Sequence, residues 1–404
     1  MTGAAVNDLN LALARARERA RYSQDDVGAA LGVSRAMVSY WESGSRTPGD
    51  RQLAGIARLY GVEVADLLAN SDVEPVGADL AGMLLRADTG VAAESAPGVR
   101  EFVQFLERYA ELAELTGSQI GGLQQSPYIH RSKFTQKDDA RRKAEEVRAA
   151  LGLGTGPIAD ADAVCEMLGI TSYRAPLGAD LNKAPSGAFL NHSTVGFSIL
   201  VNLDMTPGRR RFTVAHEIGH ALFHSDEGRW VVSQGRSPRE TFADEFAGEF
   251  LMPSEGIRRF MEEAGMAPRI TDPVDVIHIQ RYFRGSFPMT LVRLRQMNAI
   301  TSATYGNLKR DVRPVALARS LGYSIDLEES QQDAELWRIR RFPRAFLRML
   351  RNAVVRQVMT PPTAASFAGL ALPDLVQILG QPLGDEQPEE IGTEFAEFEA
   401  TGVV

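Results

Sequence analysis

Three of the chain's six histidines, His216, His220 and His224, fall within the single stretch FTVAHEIGHALFH, from Phe212 to His224. On a helix, residues four apart share a face about one turn apart. His216 and His220 can then take two corners of a zinc tetrahedron. Glu217 follows the first of them, and its carboxylate points to the side of the ion. There it can hold a water and accept its proton, the HExxH arrangement of zinc peptidases. His224 lies two turns beyond His216, roughly 12 Å along the axis, too far for a straight helix to bring all three rings to one ion. It reads as a cap at the helix C-terminus, where a partly positive ring is favoured. A third ligand has to come from elsewhere. PRETFADEFAGEFLMP (238–253) offers Glu240 and Asp244, again four apart. Glu240 can bind zinc, and Asp244 can accept the free N–H of a ligand histidine. His192, His278 and the tyrosines are the candidates for stabilising an oxyanion.

These residues need elements to hold them. ADADAVCEMLGI reads as a helix and Ile170–Tyr173 as a short strand. GAFLN (187–191) and VGFSILVN (195–202) read as a hairpin, and a helix resumes at Thr206-Pro207, with proline in its first turn. In the second ligand segment, Phe246, Ala247, Phe250 and Leu251 form the apolar side, closed by Met252-Pro253. DPVDVIHIQRYFRGSFPMTLVRLRQMNAI (272–300) reads as two helices, the first from about Asp275, with GSFPMT as the turn. His278 there reads as a core or interface histidine rather than a ligand. The lone cysteine, Cys165, sits in an apolar helical run and reads as a small buried hydrophobe; one thiol also forms no internal disulfide.

The paired motifs resemble the ImmA/IrrE metallopeptidases over residues 130–300. The resemblance makes His216 and His220 the HExxH ligands and Glu217 the base. Glu240 becomes the glutamate of an ExxA[ND]xFA segment, which continues here as Ala243, Asp244, Phe246 and Ala247. Relatives carry a second glutamate just before that alanine. Phe242 stands there in this chain, so the assignment rests on Glu240 alone.

A second pattern lies near the N-terminus. In SQDDVGAALGVSRAMVSYWESGSRTP, Ser23 precedes an acidic first turn, and Val27, Ala30 and Leu31 form an apolar face. Gly32 breaks the helix, Ser34 can cap the next, and Met37, Val38 and Trp41 are its apolar positions. This is a helix-turn-helix. With two more short helical patterns following, it resembles the XRE (Cro/C1-type) DNA-binding domains over residues 7–70. Ser34, Arg35, Ala36, Ser39 and Tyr40 are then the face offered to the major groove of an operator in double-stranded DNA. Gln24 and Arg46 are phosphate contacts. Residues 1–70 hold eight arginines and eight acids, so groove fit rather than bulk charge has to carry this reading. Such proteins read paired half-sites, which implies a homodimer.

The expected layout is mainly α with a small β-sheet, an α+β chain. A five-helix DNA-binding domain (1–70) is followed by a linker (71–98) and a coupling or dimerisation helix (99–125). Within that helix Val99, Phe102, Val103, Leu106, Tyr109 and Ala113 share a face. A zincin-like domain (130–300) comes next, then a helical region (301–380) and an acidic disordered tail (381–404) with seven acids and no Lys or Arg. The helical region holds RIRRFPRAFLRMLRNAVVRQV, read as a solvated face over Phe346, Leu347 and Leu350, and FAGLALPDLVQILG (367–380), read as a final helical pair. A net charge of −8 argues against a chain-wide polyanion binder. No apolar run approaches the ~18 residues of a membrane span, so no membrane partner is expected and the cytoplasm is the expected compartment. Three functions remain open. One is a DNA-binding regulator whose zinc endopeptidase cleaves a partner regulator or itself, in a stress-type response. The second is a regulator with a non-cleaving ligand or metal sensor, and the third an antitoxin that grips DNA and a toxin.

Overall fold

A computed structural model describes residues 4–19, 22–60, 62, 64–69, 95–120, 137–180, 184–192, 194–224, 230–232, 237–324 and 341–380. The chain forms two units. Met1–Glu111 with Ala175–Pro185 makes the first, and Leu112–Arg174 with Ser186–Val404 the second. The architecture is mainly helical with one small sheet.

The first unit opens with five helices, α1 (Ala4–Arg19), α2 (Gln24–Leu31), α3 (Arg35–Glu42), α4 (Asp50–Tyr60) and α5 (Val64–Ala69). The hydroxyl of Ser23 and the carboxylate of Asp26 each hydrogen-bond the other residue's backbone N–H, at 3.1 and 2.9 Å, which fixes the start of α2. Gly32 takes φ +66° between α2 and α3, a conformation that costs a residue with a Cβ. Val27, Val38, Trp41, Ile56 and Tyr60 fill the core beneath.

A sixth helix, α6 (Ala96–Thr116), starts three residues before the predicted Val99 and stops well short of 125. Proline is tolerated in a first turn, so Ala96-Pro97-Gly98 belong to the helix rather than the linker. Gly117 ends it at φ +64°, with Ser118 N–H donating to Ala113 O at 2.9 Å. Its predicted apolar face is buried, with Phe105 and Leu112 added. Ala96 joins the five-helix core, and Arg100 donates to Leu59 O at 2.9 Å. Residues 71–94 of the predicted linker and the acidic tail lie outside the described residues.

The second unit begins its main run with α7 (Lys137–Ala150) and α8 (Ala161–Met167), the latter capped by Asp160. A four-stranded sheet follows, with β1 (Thr171–Ala175), β2 (Gly187–His192), β3 (Gly196–Asn202) and β4 (Trp230–Val232) in the order β1-β3-β2-β4. β2 and β3 form the predicted antiparallel hairpin, Phe189 opposite Ile199. β4, which the sequence pattern did not reveal, pairs antiparallel with β2. β2 and β3 are almost wholly buried, as strands with neighbours on both edges are. Cys165 is buried in the core, which pushes its thiol well above the usual range.

Helices α9 (Pro207–Phe223), α10 (Pro238–Leu251), α11 (Ser254–Glu263), α12 (Pro273–Phe283), α13 (Phe287–Gln296), α14 (Ser302–Asp311) and α15 (Pro314–Ser320) complete the main body. α12 starts at Pro273 rather than near Asp275, because the Asp272 carboxylate caps Val274 N–H at 2.8 Å. The turn to α13 is only Arg284–Ser286; Phe287-Pro288 already form the next first turn under the Ser286 cap. Among the described residues no single helix is long and apolar enough to cross a membrane.

The C-terminal helices are α16 (Arg344–Val355), α17 (Pro361–Ala368) and α18 (Leu372–Leu379). Phe346, Leu347 and Leu350 face inward as expected. Two arginines of the supposed solvated face are engaged within the unit. Arg344 pairs with Asp160 at 2.6 Å and Arg348 with Glu166 at 3.3 Å. The last helical pair starts at Pro361, not in 367–380, since Gly369 in the left-handed region separates its members.

Candidate metal centre

α9 has Thr206 at its N-cap position, with no side-chain cap hydrogen bond, and carries proline in its first turn. It is buried over its whole second half, Thr213 through Phe223. Val214, Ala215, Ile218, Ala221 and Leu222 join the core cluster. His216, Glu217 and His220 are buried polar residues on the same helix, 5, 0 and 1% exposed. Gly219, between the histidines, lets α10 approach: a Cβ there would lie 3.0 Å from the Phe246 ring and 3.6 Å from Ala243 Cα.

α10 begins in the sequence Ser-Pro-Arg-Glu. The Ser237 hydroxyl accepts from Glu240 N–H at 3.2 Å, which locks the first turn. The Glu240 carboxylate is turned to the histidines, with Oε2 3.1 Å from His216 Nε2 and Oε1 3.2 Å from His220 Nε2. The two Nε2 atoms are 3.1 Å apart. One turn further along α10, Asp244 Oδ1 meets His216 Nδ1 at 2.9 Å. The structure thus brings together all five residues singled out in the sequence.

The charges are tightly coupled. Burial opposes protonation of His216. Hydrogen bonds to Asp244 and Glu240, with the charges of Glu217 and Asp244, outweigh it and push the ring up to about 10. Burial likewise opposes the charge on Glu240, but hydrogen bonds from His216 and His220 hold it at about 2. A proton therefore sits where three donor atoms converge, and a cation binding there has to displace it.

The donor set fits zinc. Two imidazole nitrogens and a carboxylate oxygen lie within 4.8 Å of one another, the candidate metal group found among the described residues. Edges of 3.1–3.2 Å are close to the roughly 3.4 Å edge of a tetrahedron built on zinc–nitrogen bonds of about 2.1 Å. Three protein ligands leave a fourth corner, the pattern of catalytic rather than structural sites.

Residues 165–295 match the family model of the M78 peptidases, described as an IrrE N-terminal-like domain. Residues 13–67 match the helix-turn-helix model. The chain thus carries one segment similar to each of these two families. No curated protein matches it. The IrrE-like match contains the whole metal centre but begins after α7. That helix is nonetheless fastened to the domain, for Arg148 donates to the backbone carbonyl of Phe250 at the end of α10.

Two further groups support the IrrE-like centre without having been legible as site residues. Gly187 opens β2 beside Glu217. A Cβ on it would meet Thr213 Cγ2 at 2.4 Å, Leu200 O at 2.8 Å and Glu217 Oε1 at 3.3 Å. A glycine at a strand start, where another element comes close, was the available signal. At the far end of α10, Glu249 forms a buried ion pair with Arg293 of α13. Ser254 donates to the same carboxylate at 2.6 Å (N–H) and 2.8 Å (hydroxyl).

The structure gives the candidate oxyanion donors the following contacts. His192 Nδ1 accepts from Thr194 and Val195 N–H at 3.2 and 3.1 Å, at the opposite end of β2 from Gly187. His278 bonds Tyr323 at 2.6 Å. Tyr173 packs on Phe342, Tyr282 on Phe260 and Tyr305 under Arg295. His224 is the C-cap residue of α9, but its ring is turned to His220 Nδ1, 2.9 Å away, instead of acting as a free cationic cap.

In the helix-turn-helix module, Ser34 caps α3 through Met37 N–H at 3.3 Å. Ser34, Arg35, Ala36 and Tyr40 are exposed and Ser39 is half-buried. Arg46 lies over the Tyr40 ring, 5.7 Å from its centre. Gln24 is less free than expected. Its amide donates to Glu42 at 2.8 Å, and the same carboxylate receives Arg17 at 2.6 Å.

Proposed function

We propose that this chain is a DNA-binding regulator whose IrrE-like domain is a zinc-dependent endopeptidase acting on a regulatory protein. The substrate is a partner repressor or the chain itself, cut within its own 71–98 segment. The observation that carries the reading is the convergence of His216, His220 and Glu240 with a buried glutamate, Glu217, on the same helix turn. A site that only held a metal would need no acid–base group at that position.

Zinc bound there would supply Lewis acidity to a peptide carbonyl and to water. Glu217 takes the proton of the attacking water and delivers it to the leaving amine. Asp244 holds the His216 ring in register by accepting from its Nδ1. Burial of Glu217 and both histidines keeps bulk water from competing for these groups.

The helix-turn-helix module directs the activity to an operator. The exposed edge of α3 enters the major groove, with Arg35 reading base edges and Ser34, Ala36, Ser39 and Tyr40 alongside it. Arg46 and Gln24 contact phosphates, Gln24 from the amide that Glu42 orients. A homodimer in the cytoplasm, reading two half-sites, fits this plan, with cleavage as the release step of a stress-type response.

Protein N-termini compared between cells expressing wild type and Glu217→Gln test the proposal. A terminus seen only with wild type supports it and names the substrate, self-cleavage included. Identical termini in stressed and unstressed cells would replace it with the sensing regulator or the toxin-gripping antitoxin.

A further inference from the structure

His224 takes no part in the chemistry above, yet it is 5% exposed and directly follows the ligand helix. Its Nδ1 lies 2.9 Å from Nδ1 of His220. Its backbone N–H donates to His220 O at 2.8 Å, so main chain and ring both tie it to that ligand. Phe242 packs edge-on against the His224 ring, with centroids 5.2 Å apart, and limits its rotation.

The geometry dictates a tautomer. Nε2 of His220 faces His216 Nε2 and the Glu240 carboxylate. To offer that lone pair to a cation, a neutral His220 must carry its proton on Nδ1. That proton points at His224 Nδ1. It is accepted only if His224 keeps its own proton on Nε2.

We propose that His224 is a positioning residue that accepts the His220 Nδ1–H and so presents His220 Nε2 to the metal. This rests on the zinc reading of the triad. It makes the two histidine ligands unequal. His216 is backed by the carboxylate of Asp244, whose side chain is 60% exposed, and His220 by the buried ring of His224.

The test uses the full chain, stripped of metal and titrated with zinc against a chelating dye. His224→Leu removes the acceptor. His224→Asn keeps an amide oxygen near the Nδ1 position. Zinc affinity is expected to fall about 10–100-fold in the leucine variant and to stay close to wild type in the asparagine variant. Wild-type affinity in His224→Leu, or an equal loss in both variants, would overturn the proposal. Nitrogen-15 NMR of the zinc-loaded wild type needs no variant to fold. It should show the proton of His220 on Nδ1 and that of His224 on Nε2, and the reverse assignment overturns the proposal too. A wild type that takes up no zinc defeats the metal reading itself, and this inference with it. A wild type that binds zinc beside an unaffected leucine variant defeats the inference alone.

Discussion

Helix α10 carries a partly buried carboxylate near its start and a fully buried one near its end, and the two are answered differently. Glu249 faces the guanidinium of Arg293, a cation that no physiological pH removes. Glu240 faces two imidazoles, whose proton can be exchanged for a metal. Both carboxylates lose hydration and need a partner, Glu249 more completely than Glu240. A permanent partner makes one end a fastening between α10 and α13. An exchangeable partner makes the other a place where a cation can come and go.

The sharpest way to break this contrast is at the base. Glu217→Gln should lower peptide hydrolysis about 10²–10⁴-fold while zinc stoichiometry, measured by atomic absorption, stays at wild type. Loss of the metal with the activity would make Glu217 part of the binding set instead. Next comes stability. Arg293→Met leaves Glu249 buried without its cation and should cost about 3–5 kcal/mol in urea unfolding. Glu240→Gln should abolish tight zinc binding, whereas Arg293→Met should leave zinc stoichiometry at wild type. Loss of zinc in both variants would erase the distinction between the ends.

Acidity sharpens the comparison further. The His216 ring is raised to about 10 in the fold, from 6.5. The stability it contributes is complete below pH 6.5 and is lost as pH climbs towards 10. Glu240 is lowered to about 2, from 4.5, so its contribution is complete above pH 4.5 and is lost as pH falls towards 2. The thermal midpoint of the metal-free protein should therefore decline outside pH 4.5–6.5 on both sides. Zinc should expel about one proton near neutrality, so its affinity rises with pH. Calorimetry in two buffers of different ionisation enthalpy would show this, and a buffer-independent heat would contradict it. The smallest effect concerns the strand beside the base. Gly187→Ala should cost about 1–3 kcal/mol through its clash with Thr213 and Leu200, and should lower activity more than zinc affinity.

What the sequence disclosed follows the range of the interactions. The spacing of His216 and His220, that of Glu240 and Asp244, and the apolar face of α6 are local patterns of one helix, and they are visible in one dimension. The helix-turn-helix was legible for the same reason, through Gly32 and Ser34. The pairing of β4 with β2, the Glu249–Arg293 ion pair and the closeness of Gly187 to Thr213 join residues far apart in the chain, and no short window contains them. His224 was in plain view beside its partner. Axial distance ruled it out as a ligand, but the direction of its ring depends on Phe242, a residue of another helix. The early start of α6 was hidden by Pro97-Gly98, a pair that reads as a break and here forms a first turn.

The segment Ala175–Pro185 belongs to the first unit although β1 and β2, on either side of it, are strands of the second. Ser95 donates its hydroxyl to Leu177 O at 2.6 Å, and a Cβ on Gly98 would lie 2.3 Å from Pro176 O. The first unit is thus discontinuous in sequence, its second piece falling between Arg174 and Ser186 of the second unit. On the ribosome it has all of its residues only once residue 185 has emerged, later than those of β1. A truncation that ends the chain before β1 would remove Pro176 and Leu177, which Gly98 and Ser95 contact. Any transfer of this unit to another protein has to carry those residues along.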